Sequence, residues 1–211
     1  MIPSVADALT RPARGVVDWL RHPAGRRNRR VSVVGDRAHV EVRGLGDPER
    51  PGLHAAVRKA VEVLDGVDLV ALSPGLDPRV GVAAQARRRG LPLTGEMSLL
   101  AQALDELGVR AQTRILAITG TNGKTTTTAL TAALAQSVGI DAVAAGNISP
   151  AALSALMTCL DAGKLPEVWV LELSSFQLET TVSLAPDAAT VLNVSDDHMD
   201  RYAGLDDYAA A

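Results

Sequence analysis

The chain is poor in aromatic residues, holds a single cysteine, and lacks both a long apolar run and a strong net charge. Each shortage excludes something. One Phe, two Trp and two Tyr among 211 residues, 2% in all, are too few for the stacked rings that grip single-stranded nucleic acid. A formal net charge of −3 leaves no basic excess to draw polyanions, so no nucleic acid is expected as a partner. The lone Cys159 excludes an internal disulfide and fits a reducing compartment; set in an apolar run, it reads as a buried structural thiol. No apolar stretch reaches membrane-spanning length, and Asp7 falls where an export signal needs its apolar core. The expectation is a cytoplasmic chain without membrane insertion. What is present, 47% hydrophobic residues, suffices for a core of one or two domains.

The densest chemistry lies between Leu116 and Leu134. The run Leu116-Ala117-Ile118-Thr119 reads as a strand, Gly120-Thr121-Asn122-Gly123-Lys124-Thr125-Thr126-Thr127 as a loop, and Ala129 to Leu134 as a helix. Glycines at 120 and 123 let backbone N–H groups turn toward one point, and the helix that follows adds the positive end of its dipole. Lys124 can bring a charge to the β/γ-phosphates, and the Thr125 hydroxyl can ligate Mg²⁺. Ile118 stands where the full Walker pattern has its first glycine, so this is a shortened relative of that motif. A plain Gly-Thr turn is the competing reading. Strand before and helix after favour nucleotide phosphate.

Upstream, residues 1–66 scatter Arg11, Arg14, Arg21, Arg26, Arg27, Arg29, Arg30, Arg37, Arg43 and Arg50 among Pro and Gly without a period. Val31–Val34 reads as a short strand and Leu53–Leu64 as a helix. Arg26–Arg30 reads as a solvated basic segment before it reads as a phosphate site, and Gly44-Leu45-Gly46 is followed by Asp47-Pro48 rather than a helix. From Val67 the texture changes to strands alternating with helices: strand Asp68–Leu72, turn Ser73-Pro74-Gly75, helix Val80–Arg89, extended Leu91–Leu93, helix Ser98–Leu107. After a polar boundary at Gly108–Arg114 the alternation resumes, with strands Ile140–Ala145, Val168–Leu173 and Thr190–Val194 and a helix Ala151–Leu160. Such alternation implies parallel strands, whose ligands bind beyond the carboxyl ends. Ser73, Pro74 and Gly75 occupy such an end, with a loop that merely turns the chain as the alternative.

Three more polar groups fall at strand ends. Glu172 interrupts an apolar strand beside Ser174 and Ser175; a carboxylate there is costly unless a cation or hydrogen bonds offset it, which makes it a candidate Mg²⁺ ligand. Asn147 opens the loop after its strand, where it either meets a ligand or satisfies a turn. Asn193 to Tyr202 gathers Asp196, Asp197, His198, Asp200 and Arg201, and His198 is a candidate for metal or for a substrate anion.

Taken together, Ser73-Pro74-Gly75, Thr119 to Thr126, Gly146-Asn147-Ile148, Leu171 to Glu179 and Asn193 to Tyr202 resemble the Mur ligases of peptidoglycan synthesis, from about Val67 to the last residue. Within that family, Glu-Leu-Ser-Ser-Phe-Gln-Leu and Asp-His-Met-Asp-Arg-Tyr are similar to the members that add D-glutamate. The resemblance implies an α/β chain: a Rossmann-like N-terminal domain with an atypical start, then a P-loop parallel-sheet ATPase domain, truncated. By it, residues 1–66 are an atypical segment, 67–110 the remainder of a UDP-substrate-binding domain, and 111–211 an incomplete central domain. It also implies the cofactors ATP and Mg²⁺, the partners UDP-N-acetylmuramoyl-L-alanine and D-glutamate, and a monomer. Lys124 is implied to stabilise the γ-phosphoryl group, Thr125 and Glu172 to hold one Mg²⁺, and His198 to help hold a second. Asn147, Ser174 and Ser73–Gly75 are implied to contact the muramoyl substrate. The L-alanine carboxylate is then phosphorylated and the D-glutamate amine displaces phosphate.

Two departures stand out. The family opens with a glycine-rich strand-turn-helix that residues 1–66 do not display, so a shifted reading frame or a mis-assigned start is a hypothesis for them. Re-reading the coding DNA in its other frames tests it, and sinks it if no frame restores that pattern. The chain also stops at Ala211 inside a helix begun near Leu205, before the family's carbamylated lysine and C-terminal domain. The expectation is therefore a fragment inactive alone. A non-catalytic nucleotide-binding module and a folylpolyglutamate synthase-like ligase are the alternatives.

Overall fold

A computed structural model describes residues 31–34, 64 and 69–211. The expectations for a helix at 53–64, for Arg26–Arg30 and for Gly44–Gly46 lie outside the described residues, Leu64 apart. The described elements run β1 Val31–Val34, β2 Leu69–Leu72, α1 Gly81–Arg88, β3 Leu93–Thr94, α2 Glu96–Glu106, a 3₁₀ turn Arg110–Gln112, β4 Arg114–Thr119, α3 Lys124–Ser137, β5 Ala142–Gly146, α4 Ala152–Asp161, β6 Val168–Glu172, α5 Ser175–Leu178, β7 Ala188–Val191 and α6 Leu205–Ala209. The strands form two wholly parallel sheets, ordered β1-β2-β3 and β5-β6-β4-β7. The α/β reading from alternation holds.

Side-chain alternation decides which face each residue serves. In the second sheet, Ile115 and Ala117 of β4, Ala145 of β5, and Trp169 and Leu171 of β6 enter one core with α2 and α4. Their neighbours Leu116, Ile118, Ala144, Val168 and Val170 face the other way, onto Ala132 of α3. Glu172, two residues beyond Val170, therefore belongs by alternation to the face that α3 covers, the helix that begins the phosphate loop's far side. The first sheet repeats the pattern. Val70 and Leu72 pack on Val82, Ala83 and Ala86 of α1, whereas Leu69 and Ala71 join the larger core of the second sheet. One core thus runs through both sheets. At ~25 cal/mol per Å² of apolar surface, burying side chains of this size contributes roughly 1.5–3 kcal/mol each.

Helix ends follow from glycine. After α3, Gly139 at φ +85° donates to Gln136 C=O and Ile140 N–H donates to Ala135 C=O at 3.1 Å, the double bond of a Schellman stop. This stop moves the next strand: expected from Ile140, β5 starts at Ala142 because Ile140 is consumed by the cap. The last strand moves in the opposite direction. Expected over Thr190–Val194, β7 pairs Ala188–Val191 with Leu116–Thr119, because Asp187 N–H donates to Ile115 C=O at 2.8 Å and sets the register two residues earlier. All four β7 residues are exposed, as is a stripe of Leu130, Leu134 and Val138 along α3. Cys159 is half-buried rather than buried; it packs on the main core, and burial pushes its thiol up. Among the described residues no helix is long and apolar enough to cross a membrane.

Candidate functional site

The phosphate loop leaves β4 at Thr119 and returns into α3 at Lys124, with Gly120 at φ +134° and Gly123 at φ +83°. Gly120 has a second reason to lack a side chain. A Cβ there would lie 3.0 Å from Asn193 C=O and 3.1 Å from the backbone nitrogens of Leu192 and Asn193. The first helical bond of α3 runs from Thr127 N–H to Gly123 C=O at 3.0 Å, so the N–H groups of Lys124, Thr125 and Thr126 have no partner within the helix. They point out of its positive end, the geometry that takes an anion. Thr125 and Thr126 are exposed there and Thr127 is half-buried. The Lys124 ammonium folds back on its own loop, donating to Gly120 C=O at 2.7 Å and Thr121 C=O at 2.9 Å. A phosphate group offers that cation a charged partner in exchange for two neutral ones.

Beside the loop stands Glu172. It is 2% exposed, and β6 pairs it with Ile118, the penultimate residue of β4. Its Oε1 accepts from Asn147 Nδ2 at 2.8 Å, while Oε2 is buried without a hydrogen-bond partner. Asn147 is held from behind by its own N–H, which donates to Glu172 C=O at 2.9 Å. Glu172 and Asn147, separate candidates in sequence, are therefore one unit. A desolvated carboxylate with one orphan oxygen fits a hard divalent cation, which that oxygen can ligate. Among the described residues no three His, Cys, Asp or Glu side chains form a metal-holding group, so Glu172 and His198 do not gather with a third such ligand.

His198 sits at φ +54° on the loop after β7. Its N–H donates to Asp197 Oδ1 at 2.9 Å, its own carbonyl accepts from Arg201 and Tyr202 N–H, and its ring lies 4.5 Å from that of Phe176. Ser174 stands at the N-cap of α5. Its hydroxyl accepts from Gln177 N–H at 3.2 Å, and Gln177 Oε1 accepts from Ser174 N–H at 3.0 Å, a reciprocal cap on α5. The Ser-Ser-Phe-Gln spacing carried that signal. Ser73 and Pro74 are half-buried and Gly75 exposed in a turn closed by Leu76 N–H to Ser73 C=O at 3.0 Å.

Several residues around the loop have no local signal in sequence. Asn193 binds the backbone of Asn122 through both atoms of its amide. Thr121 Oγ1 accepts from Ser195 N–H at 3.0 Å and lies 3.2 Å from the Tyr208 hydroxyl of α6. Tyr208 in turn packs on Tyr202, ring centroids 5.3 Å apart, and burial is the first cause that pushes the Tyr202 hydroxyl up to about 12. Arg201 and Glu179 form a largely buried ion pair. Farther out, burial pushes the Glu96 carboxyl up against hydrogen bonds from Leu153 and Ala152, whose N–H groups begin α4.

Residues 118–211 match the family model described as the Mur ligase middle domain. A protein of Aromatoleum aromaticum named UDP-N-acetylmuramoylalanine--D-glutamate ligase is 81% identical over 150 residues, 71% of this chain and 32% of that protein. One of the same name from Ralstonia nicotianae is 52% identical over 182 residues, 83% of this chain and 34% of that protein. A crystal structure of UDP-N-acetylmuramate:L-alanyl-gamma-D-glutamyl-meso-diaminopimelate ligase from Neisseria meningitides aligns over 86% of this chain and 65% of that one, with a TM-score of 0.47 and 14% identity, too distant to argue from. The chain spans about a third of the length of the curated relatives it matches. From the end of β4 onward, residues 118–211 belong to the Mur ligase family as its middle domain.

Proposed function

We propose that this chain supplies the ATP-binding and muramoyl-nucleotide-anchoring parts of a ligase that joins D-glutamate to UDP-N-acetylmuramoyl-L-alanine. The observation that carries the reading is Glu172: buried, one oxygen unpartnered, on the strand next to the phosphate loop and on the face covered by α3. The names of the relatives supply the substrates. In this reading residues 67–110 and 111–211 act as the substrate and nucleotide halves.

The chemistry suits the residues. A carboxylate is a poor acyl donor until phosphorylated, and bringing it to a triphosphate needs positive charge between them. Lys124, now on two loop carbonyls, would give its charge to the phosphates, and the N–H groups of Lys124, Thr125 and Thr126 would donate to them. Glu172 and the Thr125 hydroxyl would hold Mg²⁺, with His198 serving a second ion; the metal would supply the charge that draws the reacting anions together. Asn147 fixes the carboxylate of Glu172 so that its free oxygen keeps one direction. Ser73, Pro74, Gly75 and Ser174 stand at strand ends on the substrate side.

Titrating the chain with a non-hydrolysable ATP analogue, with and without Mg²⁺, tests the nucleotide half. Binding that needs Mg²⁺ and falls at least about a hundredfold in Lys124→Ala supports it; binding indifferent to both sinks it. Release of ADP stimulated by a folate rather than by UDP-N-acetylmuramoyl-L-alanine and D-glutamate overturns the substrate assignment. Because the chain spans about a third of its relatives, nucleotide binding without turnover is the second reading, and the same ADP measurement separates the two.

A further inference from the structure

We propose that Arg201 is a positioning residue, a latch that holds the Ser73–Leu76 turn of the first sheet against the histidine loop of the second, so that the two ligand edges keep one geometry. The guanidinium is spent in three directions. Nε donates to Glu179 Oε1 at 3.3 Å and Nη2 to Glu179 Oε2. Nη1 donates to Pro74 C=O at 3.4 Å and Nη2 to Leu76 C=O at 3.3 Å, across 127 and 125 residues of sequence. Its carbon lies 4.1 Å from the centre of the Phe176 ring, whose centroid stands 4.5 Å from that of His198.

The contact is doubled on the backbone. Arg201 C=O accepts from Arg79 Nη2 at 2.9 Å, and the Arg79 guanidinium is itself gripped by Asp77 at 2.9 and 3.1 Å. Burial works to raise the Asp77 carboxyl, but the hydrogen bonds from Arg79 carry it below its ordinary value. Residues 74, 76, 77 and 79 are thus tied to residue 201 from both sides of the turn. The Arg201 and Glu179 side chains are only 8% and 13% exposed. A buried ion pair is a poor source of net stability, because desolvation offsets most of the attraction. What this one adds is direction: two turn carbonyls, a carboxylate and a ring face meet one planar fork, which a lysine ammonium does not reproduce. The same fork, through Phe176, backs His198. The latch therefore couples the turn after β2 to His198 on the loop after β7.

This deepens the reading above and rests on it only for the identity of the ligand at the turn. The test uses Arg201→Lys and Glu179→Gln in the whole chain, with Arg79→Ala as the milder variant: its side chain is 46% exposed, so the fold survives its loss. Amide exchange followed by mass spectrometry reads the turn directly, and affinities for UDP-N-acetylmuramoyl-L-alanine and for an ATP analogue are measured apart. The expected result is exchange over residues 73–80 faster by about tenfold in the two buried variants and by less in Arg79→Ala, with residues 121–128 unchanged. Muramoyl-nucleotide affinity falls by about tenfold while ATP affinity stays within about twofold, a split that general unfolding does not produce. Unaltered exchange at 73–80, or equal loss of both affinities, overturns the latch. If the parent chain binds no muramoyl nucleotide, the substrate reading fails and the exchange measurement alone decides the latch.

Discussion

The side-chain amide of Asn193 pairs with the backbone of Asn122 in both directions: Oδ1 accepts from its N–H at 2.9 Å and Nδ2 donates to its C=O at 3.0 Å. Thr121 N–H adds a third bond, to Asn193 C=O at 2.9 Å. The exit of β7 is therefore a template for the phosphate loop. Asn193→Ala removes two of the three bonds. Each is worth about 1 kcal/mol or less at an exposed position, so nucleotide affinity falls by roughly tenfold. Asn193→Asp is worse, since it turns the donor into a carboxylate facing Asn122 C=O and the incoming phosphates. Calorimetric titration with an ATP analogue measures both; unchanged affinity in the alanine variant means that the loop holds its own shape.

Glu172 carries a desolvation cost that the proposed Mg²⁺ would offset. Its Oε2 is buried without a partner, and Glu172→Gln removes the charge while keeping an acceptor for Asn147 Nδ2. A neutral amide is cheaper to desolvate than a carboxylate. Without Mg²⁺ the variant is expected to melt higher by a few degrees, corresponding to about 1 kcal/mol. In return, the Mg²⁺ dependence of nucleotide binding disappears. A lower melting temperature together with intact Mg²⁺ dependence would show that the carboxylate serves the fold alone.

What was legible in the sequence was what local pattern encodes. Gly120 to Thr126 announces a phosphate loop because strand, glycines, lysine and helix are contiguous, and Glu172 announces itself by breaking an apolar run. Alternation along β6 even places that carboxylate on the α3 face. Long-range partners carry no such mark. Asn193 lies 71 residues from the loop it braces, and Arg201 lies 125 from Leu76. The misplaced ends have physical causes as well: a helix cap consumed Ile140, and Asp187 pulled β7 two residues toward its own start. The second role of Ser174, capping α5, shows only when Gln177 three residues on is counted with it.

Gly146 separates a glycine required by space from one required by conformation. It sits at φ +113°, and a Cβ there would collide with the carbonyl oxygen of Glu172, its register partner on β6. That atom belongs to sheet backbone and cannot step aside. Gly90 sits at φ +72° with nothing within 4 Å of the added carbon. Gly146→Ala is expected to cost about 3 kcal/mol or more, and Gly90→Ala about 1 kcal/mol. Chemical denaturation of the two variants reads the difference. Similar losses at both positions would mean that β5 and β6 part without penalty, leaving Asn147 and Glu172 less firmly placed than their hydrogen bonds imply.

Asp187 staples the start of β4. Its Oδ2 accepts from Ile115 N–H at 2.9 Å and meets Arg110 Nη2 at 3.1 Å, while Oδ1 meets Arg114 Nη1 at 2.8 Å. The Ile115 bond first, then Arg114, hold the carboxyl down to about 2 from an ordinary 3.8. A carboxyl whose folded value is depressed stabilises the fold above its unfolded value and loses that contribution as pH falls through the folded one. The window therefore runs from about 3.8 down to about 2, with neutral pH outside it. Arg114 is 67% exposed, so solvent screens its share and the effect is modest. Asp187→Asn is expected to melt a few degrees lower near neutral pH and to lose part of the parent's acid-induced fall between about pH 4 and pH 2. Raising the salt to about 1 M narrows the gap between the two by screening the arginines, leaving the Ile115 bond as the residue of the effect. Parallel acid profiles for parent and variant would place the acid sensitivity elsewhere in the fold.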